Sequence, residues 1–363
     1  AKCSVYVRRW KSALPDEELI EPGVRLVHID AGSPELKKNE LIDVIDEFSE
    51  GVERDLILRS NVDVLHANYW LSGISGHALK HRLGVPLVTT FHTLGKTKIT
   101  SGEFEPRDRI KKEQDIIDCS DIVVANSVSE ANQLKDLYAA PQERVAVVPL
   151  GVEHAFFAPG NQDAARSAIG LGRGPVVTYV GRLQPLKGVD LALEMFAELQ
   201  TENGVLLIVG GASGTGGDKE VSKLKQRIKE LDLEQQVRLI APQPHHILST
   251  YYRASDVVVV PSKAESFGLV ALEAAACGTP VVAASVGGLQ DLVLHGTTGY
   301  LVNERDPRLY AHYARQILEN PLHGAEIAMN AVEKAQQYSW EKTSDQILNL
   351  YTSVTSRALV DCR

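Results

Sequence analysis

A cationic loop follows one of the β-branched runs of the chain. It reads Gly-Arg-Leu-Gln-Pro-Leu-Lys-Gly over residues 181–188, so Arg182 and Lys187 stand where a helix is about to begin. The first turn of a helix offers free N–H groups and a partial positive charge, which suit a phosphate group. The Coulomb attraction between a phosphate charge and one of these cations at about 4 Å would be roughly 4 kcal/mol at an effective dielectric constant of about 20. The loop is a candidate phosphate site, and a solvated loop with two surface cations is an equally good alternative.

Two carboxylates with the spacing Glu-x7-Glu form the second candidate. Glu265 follows a run of valines, and Glu273 lies within the apolar helix that comes next. A carboxylate accepts hydrogen bonds from neighbouring hydroxyls of a sugar or ribose. An acid–base pair for glycoside hydrolysis is a weaker alternative, because nothing in the sequence fixes the separation of the two groups. Two plain surface carboxylates are disfavoured, since an unpaired Glu inside an apolar helix is costly.

Two glycine-rich loops also follow predicted strands. Gly287 and Gly288 would let backbone N–H groups approach a phosphate closely, although a plain tight turn explains them equally well. The loop at residues 210–217 lacks the G-K-[ST] of a Walker loop, and we expect it to be flexible at the rim of a cleft. No D-x-D pair follows a strand, so we expect no metal at a phosphate site, where cations and helix N-termini would take its place.

The first half of the chain offers further candidates. His92 lies just past a predicted strand, at the end where ligands bind in open α/β sheets, although a single His is more often structural. Tyr69 and Trp70 occupy another such loop, where amphipathic rings suit a sugar-like ligand or simply pack. Nearby cations indicate a pocket for an anionic acceptor, with solvated surface charge as the plainer alternative. These cations are Lys37, Lys38, Lys96, Lys98, Arg107 and Arg109.

These loops separate short apolar strands from amphipathic helices. Strands alternating with helices predict parallel sheets covered on both faces, and nearly all-apolar runs are typical of such strands. Two series of this kind predict an α/β protein with two doubly wound, Rossmann-like domains facing a cleft. We place the domains at residues 1–152 and 153–337, followed by a helical stretch at 338–363. The predicted strands are 4–7, 24–29, 63–66, 87–91, 122–125 and 145–148, then 176–180, 205–209, 237–240, 257–260 and 281–284.

Composition and charge exclude several classes of protein. The chain has 363 residues, of which 44% are hydrophobic and 23% charged, as in a globular protein. Its net charge of −9 disfavours a basic surface for nucleic acid or an anionic membrane. We see no leader of the charged-then-apolar kind, and the apolar stretch 269–289 contains Glu273 and Pro280. We therefore expect neither a signal peptide nor a transmembrane segment.

The cysteines are the remaining compositional signal. Cys3, Cys119, Cys277 and Cys362 are scattered without a C-x-x-C pair. This pattern argues against a zinc site and against a disulfide framework, and it suits a reducing cytosol. We therefore expect a cytoplasmic protein.

Together, the motifs resemble the donor site of retaining GT-B glycosyltransferases of family 4, and the resemblance covers nearly the whole chain. It implies a GT-B fold and a nucleotide-sugar donor, UDP being the usual nucleotide of the family. The C-terminal helical stretch would cross back to the N-terminal domain. The donor-binding residues implied are Arg182, Lys187, Glu265, Ser266, Phe267, Gly268, Leu269, Glu273, Gly287 and Gly288.

Two branches of the family are most similar to the first half of the chain. The segments HANYWLSG and PLVTTFHTLGKTK resemble the inositol 3-phosphate glycosyltransferases and the sucrose-phosphate synthases, and GGASG is closer to the former. Both branches use a phosphorylated acceptor. The resemblance places Lys38, Tyr69, Thr93 and Arg109 around the acceptor phosphate and His92 near the donor sugar.

One departure from the family concerns the first strand. In the family, a strand and a glycine-rich loop precede the segment that resembles Val5–Arg9, and that loop reaches the donor diphosphate. The present sequence starts at about the second strand. We expect either a longer gene product or a first sheet without its central strand.

The expected activity is retaining transfer of a hexosyl group to a phosphorylated polyol or sugar such as inositol 3-phosphate. The expected catalytic residues are His92, Arg182, Lys187 and Glu265. Arg182 and Lys187 would stabilise charge on the leaving diphosphate, in a front-face displacement without a side-chain nucleophile. Glu273 would hold the ribose hydroxyls and Glu265 those of the donor sugar. No cofactor and no metal are expected.

Three alternatives stay open. One is transfer of glucose to fructose 6-phosphate, as in sucrose-phosphate synthases. The second is a nucleotide-sugar 2-epimerase, and the third is a non-catalytic nucleotide-sugar binding protein. The sequence leaves the donor base, the donor sugar and the choice between monomer and homodimer undetermined.

Overall fold

The computed structural model describes residues 2–59, 62–212 and 217–362. Strands and helices alternate in the first half, where apolar β-branched runs are separated by amphipathic segments. The strands are β1 (Cys3–Arg8), β2 (Glu17–Glu21), β3 (Val24–Ile29), β4 (Leu65–Asn68), β5 (Leu87–Thr90), β6 (Ile122–Ala125) and β7 (Val145–Val147). The helices are α1 (Ile45–Arg59), α2 (Trp70–Leu83), α3 (Gly95–Thr100), α4 (Arg107–Cys119) and α5 (Val128–Tyr138), with 3₁₀ turns at Lys38–Val44 and Gln142–Arg144.

The same alternation continues in the second half. Its strands are β8 (Val176–Val180), β9 (Val205–Val209), β10 (Val237–Ile240), β11 (Val257–Val260), β12 (Val281–Ala284) and β13 (Gly299–Val302). Its helices are α6 (Gln162–Ala168), α7 (Val189–Leu199), α8 (Gly217–Glu230), α9 (His245–Ala254), α10 (Leu269–Ala276), α11 (Leu289–Leu292), α12 (Pro307–Leu318), α13 (Pro321–Ala335) and α14 (Trp340–Thr355).

The second-half strands form one parallel sheet in the part of the chain that the structure describes, in the order β10-β9-β8-β11-β12-β13. The strand order reverses between β8 and β11, which is where doubly wound sheets bind ligands. Since β8, β11 and β12 are neighbours, the loops that follow them leave the sheet side by side. These loops carry Lys187, Glu265 and Gly287.

The first-half strands divide into two sheets among the described residues. One is parallel, with the order β4-β5-β6-β7, and the other has the order β1-β3-β2, with β2 antiparallel to β3. The four-stranded sheet brings the carboxyl ends of β4, β5 and β6 together, and these precede Tyr69, His92 and Asn126. The structure therefore consists of two Rossmann-like domains, and the exact domain bounds stay a prediction.

Two strands were absent from the sequence prediction. Strand β2 reads Glu-Glu-Leu-Ile-Glu and is largely exposed, so it has none of the buried apolar character by which the other strands were found. Strand β13 begins at Gly299 and lies at the edge of the parallel sheet. Its sequence, Gly-Tyr-Leu-Val, is apolar and mostly buried, and it pairs in parallel with β12.

The helix α14 joins the two halves. Val354 is 2% exposed and packs in one cluster with Val88, Ile122 and Val124 of the first-half sheet. At its other end, Thr343 Oγ1 donates a hydrogen bond to the Pro149 carbonyl oxygen at 2.8 Å. No described helix is both long enough and apolar enough to cross a membrane.

The structure corrects the expectation for the cysteines. Cys119, at the end of α4, and Cys362, in the tail after α14, are joined as a disulfide across 243 residues of sequence. Cys3 is free and exposed, and Cys277 is free and buried. Sequence spacing could not reveal the pair, because the return of the tail to the first domain is a property of the fold.

Candidate active site

Three loops after neighbouring strands pack directly against one another. Gly188 has φ +71°, and a Cβ atom there would lie 2.3 Å from the Pro261 carbonyl oxygen. Gly287 has φ +52°, and a Cβ atom there would lie 1.7 Å from the Glu265 carbonyl oxygen, to which Gly288 N donates at 3.0 Å. Only glycine permits both the left-handed backbone and these approaches. The glycines therefore fix the loops of Lys187, Glu265 and Gly288 into one unit.

Lys187 and Glu265 form an ion pair within this unit. Lys187 Nζ lies 2.6 Å from Glu265 Oε2, and their side chains are 20% and 18% exposed. Ser262 Oγ donates to the same oxygen at 3.3 Å. Arg182 is exposed, and within the described residues its guanidinium has no ion-pair partner. One cation is thus held in place and the other is available to an anion.

The segment from Ser266 to Leu269 serves mainly to shape the loop. Phe267 is 4% exposed in the core of the second domain, and Leu269 is half-buried at the start of α10. Gly268 has φ +106° and sits at the N-cap of α10. The carbonyl oxygen of Ser266 faces the first domain. The structure thus brings the predicted donor residues of this segment to the site but leaves the Phe267 ring in the core.

Glu273 is buried on α10, at 6% exposure. Its Oε2 accepts a hydrogen bond from Tyr252 Oη on α9 at 2.8 Å, and its Oε1 lies 3.8 Å from His245 Nδ1. Burial raises the pKa of Glu273 above its ordinary value. The carboxylate is therefore partnered, as its place in an apolar helix requires, and its contact with a ribose stays a prediction.

The glycine loop after β9 lies beside the cationic loop. A Cβ atom on Gly210 would lie 1.9 Å from the Gly181 carbonyl oxygen, and Leu183 N donates to the Gly211 carbonyl oxygen at 2.9 Å. This contact places the loop at the same edge of the sheet. The flexible segment expected there falls largely on residues 213–216, which lie outside the described residues.

His92 joins the ends of three strands in the first domain. Asn126 Nδ2, after β6, lies 3.2 Å from His92 Nδ1, and His92 Nε2 lies 2.9 Å from Asn68 Oδ1 at the end of β4. With these amide orientations the ring is neutral and carries its proton on Nε2. Burial lowers the pKa of His92, which favours that neutral form. The residue has φ +59°, a strained conformation that is common at functional sites.

The four predicted acceptor residues converge around one aromatic ring. The Tyr69 ring has Lys38 Nζ at 5.2 Å and the Arg109 Cζ at 5.6 Å from its centroid. Arg109 Nη2 donates to the carbonyl oxygen of Thr93 at 3.0 Å and to its Oγ1 at 3.3 Å. Tyr69 has φ +76°, which turns its side chain out of the regular strand-to-helix path. A cationic and aromatic pocket results.

The two cations of this pocket differ in their surroundings. Arg109 is 3% exposed and forms ion pairs with Glu113 at 2.8 Å and Glu105 at 3.0 Å. Lys38 is exposed and, among the residues that the structure describes, pairs with no carboxylate. Arg109 is therefore a positioned cation with most of its donors engaged. Lys38 is the cation available to a bound phosphate.

The other cations near these loops have different roles. Lys96 Nζ donates to the Leu137 carbonyl oxygen at 2.5 Å, and Lys98 pairs with Glu103 and Glu105. Lys37 and Arg107 are exposed. Lys96 and Lys98 are therefore engaged in contacts within the first domain rather than being freely solvated surface charges.

A direct contact joins the two domains beside these pockets. Ser127 Oγ, at the N-cap of α5, donates to the Ser266 carbonyl oxygen at 2.7 Å, and Val128 N donates to Asp291 Oδ2 at 2.8 Å. Ser127 follows Asn126, which contacts His92. The His92 ring is thus linked to the loop of Glu265 through a short chain of bonds, and no sequence pattern pointed to this link.

Glu130 is a second feature that the sequence motifs did not single out. It is 2% exposed on α5, and its Oε2 accepts from Asn126 N at 2.6 Å. Its other oxygen is buried without a partner among the described residues. Burial raises the pKa of Glu130 to about 7. The signal for it, an Asn-Ser-x-x-Glu capping pattern, is also typical of ordinary helix starts.

Two family models match the chain over nearly its whole length. Residues 2–156 match the model described as Glycosyltransferase Family 4. Residues 161–338 match the model described as Glycosyl transferases group 1.

Relatives and solved structures agree with these models. The chain is 41% identical, over 97% of its length and 86% of the relative, to D-inositol 3-phosphate glycosyltransferase of Thermobispora bispora. It is 43% identical, over 96% of its length and 80% of the relative, to the protein of the same name from Acidothermus cellulolyticus. Its structure is similar to that of sucrose-phosphate synthase from Thermosynechococcus elongatus, with a TM-score of 0.90, 30% identity and coverage of 97% and 88% of the two chains.

Proposed function

Because the chain belongs to glycosyltransferase family 4 and is a glycosyltransferase with the GT-B fold, we propose that it transfers a hexosyl group from a UDP-linked sugar to a phosphorylated polyol. D-inositol 3-phosphate is the first acceptor to consider, since relatives at about 40% identity carry that name. The observation that carries the proposal is the pairing of two pockets. The Lys187–Glu265 site of one domain is linked to the Lys38–Tyr69 site of the other through His92 and the Ser127–Ser266 contact.

The donor would bind at the carboxyl ends of β8, β11 and β12. There Arg182 is available to the diphosphate, and the turn at Gly287 and Gly288 packs against the loop of Glu265 and Phe267 at the same edge of the sheet. The Glu265 carboxylate, held by Lys187 and Ser262, is oriented to accept from hydroxyls of the sugar. We propose a diphosphate donor because Arg182 and Lys187, which would bind phosphate, lie in one small site with Glu265, which would bind the sugar.

The acceptor phosphate would bind beside the Tyr69 ring. Lys38 supplies a mobile positive charge there, and Arg109 supplies a fixed one whose geometry Glu113 and Glu105 set. The Tyr69 and Trp70 rings, both within 5.6 Å of the Arg109 Cζ by their centroids, offer an apolar surface to a polyol ring. Lys38 is the charge of this pocket that no carboxylate among the described residues neutralises, and it would attract the phosphate.

Chemistry would take place between the pockets. As the bond to the diphosphate breaks, negative charge grows on the leaving oxygen, and Lys187 and Arg182 stabilise it. The departing phosphate accepts the proton of the attacking hydroxyl, which reaches the sugar from the same face and retains its configuration. His92 is hydrogen-bonded to Asn68 and Asn126 through its two ring nitrogens, and it would exchange one of these partners for a donor-sugar hydroxyl. These cations take the part that a divalent metal plays elsewhere.

The Ser127–Ser266 contact favours a closed arrangement during the reaction. It brings the N-terminus of α5 against the loop of Glu265, and closure of this kind excludes water from an activated donor. Limited hydrolysis of the donor is expected as a result.

The proposal is tested by product analysis with mass spectrometry. The protein is incubated with UDP-glucose or UDP-N-acetylglucosamine, each with inositol 3-phosphate, fructose 6-phosphate or no acceptor. A hexosyl adduct of inositol 3-phosphate supports the proposal, and an adduct of fructose 6-phosphate alone supports the sucrose-phosphate synthase type, which the structural similarity favours. An isomeric UDP-sugar formed without acceptor, separated by chromatography because epimers have equal mass, indicates an epimerase, whereas slow release of UDP is donor hydrolysis by a transferase. Binding of UDP without any adduct rejects transfer to either acceptor.

A further inference from the structure

A cluster of two histidines and two cysteines lies on the face of the first domain that receives the C-terminal tail. His77 and His81 are on α2, Cys119 ends α4, and Cys362 is in the tail. The four ligand atoms lie within 4.8 Å of one another. His81 Nε2 is 3.3 Å from Cys119 Sγ and 3.2 Å from Cys362 Sγ, and His77 Nε2 is 4.0 Å from Cys362 Sγ. The two sulfurs are bonded to each other.

The composition of this cluster is that of a structural zinc site. Zinc prefers four ligands in a tetrahedron, commonly two cysteines and two histidines, at about 2.3 Å for sulfur and about 2.0–2.1 Å for nitrogen. Ligand atoms of such a tetrahedron lie roughly 3.3–3.8 Å apart by that geometry. The nitrogen-to-sulfur distances of the cluster bracket this range. A disulfide alone requires the two cysteines and gives no reason for two imidazoles to point at them.

The protein scaffold positions each ligand independently. His77 and His81 are four residues apart, so they share one face of α2, and their ring centroids are 5.1 Å apart. Lys80 Nζ donates to the Cys119 carbonyl oxygen at 2.7 Å and to Asp121 Oδ2 at 2.8 Å, within the core. Asp121 Oδ1 accepts from Val360 N at 2.7 Å, which places the tail two residues before Cys362.

We propose that His77, His81, Cys119 and Cys362 bind one Zn²⁺ when the cysteines are reduced. Both thiols lose their protons on binding, so two protons are released for each zinc bound. From the disulfide, a dithiol reductant first supplies two electrons and two protons and itself becomes a disulfide. The two states exclude each other, because the same sulfur atoms form either the S–S bond or the bonds to zinc.

The proposed site would fasten the tail rather than take part in transfer. Helix α2 begins beside Tyr69, and His77 and His81 therefore lie roughly 12–18 Å along the helix axis from the acceptor pocket, at about 1.5 Å per residue. Zinc there would link α2, α4 and the tail, and would stabilise the packing of α14 on the first domain. This role is independent of the donor and the acceptor.

The test measures metal content of the full chain purified in a phosphine reductant. One zinc per chain by elemental analysis is expected, together with a cobalt derivative whose visible spectrum shows thiolate charge-transfer and tetrahedral bands. Cys362→Ser, His77→Asn and His81→Asn should each lose the stoichiometric metal, whereas Cys3→Ser, at a free and exposed cysteine, should keep it. A chelator should lower the melting temperature of the parent and of Cys3→Ser and leave that of Cys362→Ser unchanged.

The histidine variants separate the metal from the disulfide. If the cluster is only a disulfide, His77→Asn and His81→Asn will behave as the parent, and no stoichiometric metal will appear after reduction. Intact mass then shows the oxidised chain lighter by two hydrogen atoms, with zinc absent in both redox states. Equal zinc content in Cys362→Ser and Cys3→Ser would likewise overturn the proposal.

Discussion

The ammonium of Lys187 and the carboxylate of Glu265 meet at 2.6 Å although 78 residues separate them. They meet because their loops follow β8 and β11, which are adjacent in the sheet. The pair links the group that would stabilise the leaving diphosphate to the group that would hold the donor sugar. A ligand that draws Lys187 towards its phosphate also frees one oxygen of Glu265 for a hydroxyl.

Lys187→Met should lower kcat by about 10²–10³-fold, the usual loss when one group that stabilises developing charge is removed. The apolar stem of methionine keeps the packing, so the melting temperature should change little. Steady-state kinetics with saturating acceptor measure the effect. Lys223→Met, at an exposed ion pair on α8, is the control. Equal losses in the two variants would remove Lys187 from the reaction.

Lys38→Ala should raise the KM for the phosphorylated acceptor by about 10–100-fold, since a hydrogen bond to a charged group contributes about 1.5–3 kcal/mol. The affinity for UDP should stay the same, because Lys38 belongs to the other domain. Titration calorimetry with UDP and kinetics with acceptor measure the two effects. Lys111→Ala, at an exposed position of α4, provides the control. A parallel loss of UDP binding would contradict the acceptor role.

Gly287→Ala should impair donor binding and stability together. The substitution meets two penalties, a left-handed φ of +52° and an approach of 1.7 Å to the Glu265 carbonyl oxygen. The matched control is Gly296→Ala, where φ is +74° and no atom lies within 4 Å. The free energy of unfolding of the control should fall by about 1–2 kcal/mol, through backbone strain alone. Unfolding curves and UDP titrations of both variants measure the difference. Identical behaviour would show that the turn accommodates the added methyl group without displacing the loop of Glu265.

Glu130→Gln should flatten the dependence of stability on pH between about 4.5 and 7. Burial raises the pKa of Glu130 to about 7 from the ordinary 4.5, so the folded chain holds a proton that the unfolded chain has lost. The contribution of Glu130 to the free energy of unfolding therefore falls as the pH rises through that window, by up to about 3 kcal/mol in total. Glutamine cannot titrate and retains an oxygen for Asn126 N.

Melting temperatures at several pH values from 4.5 to 8 measure this effect. The control is Glu230→Gln on the surface, where hydrogen bonds from Arg227 and Gln226 lower the pKa, in the direction opposite to that of Glu130. The control should follow the slope of the parent. A Glu130→Gln protein that does the same would show that Glu130 is ionised in the folded state.

The sequence was sufficient for the alternation of strands and helices and for the loops of the proposed donor site. Runs such as Val257–Val260 are buried on both faces, so every residue in them is apolar and the run is visible in the sequence. Loops after adjacent strands converge at one edge, so Arg182, Lys187, Glu265 and Gly287 could be grouped by their places after predicted strands. The grouping of Lys38, Tyr69, Thr93 and Arg109 came from resemblance, and the structure brings the four together.

What the sequence could not supply depends on contacts between distant segments. The exposed strand β2 is defined by its partner β3, since three of its five residues are Glu and its Leu19 and Ile20 are exposed. The burial of Glu130 depends on the way α5 packs, and the meeting of Cys119 with Cys362 depends on the path of the tail. Absence of a C-x-x-C pattern was a poor guide to the disulfide, because Cys119 and Cys362 are 243 residues apart in the sequence.

Gly151 lies where the chain passes between the domains for the first time, and a Cβ atom there would lie 2.2 Å from Trp340 N, at the second passage. Ser339 also pairs with Val152 as a short parallel bridge. The two segments that connect the domains are therefore held together at one point, which can act as a hinge. Rotation of the domains about this point keeps the bridge between Val152 and Ser339, whereas translation of one domain along the other would break it. Opening of the cleft is therefore a rotation, in which the atoms farthest from Gly151 travel farthest.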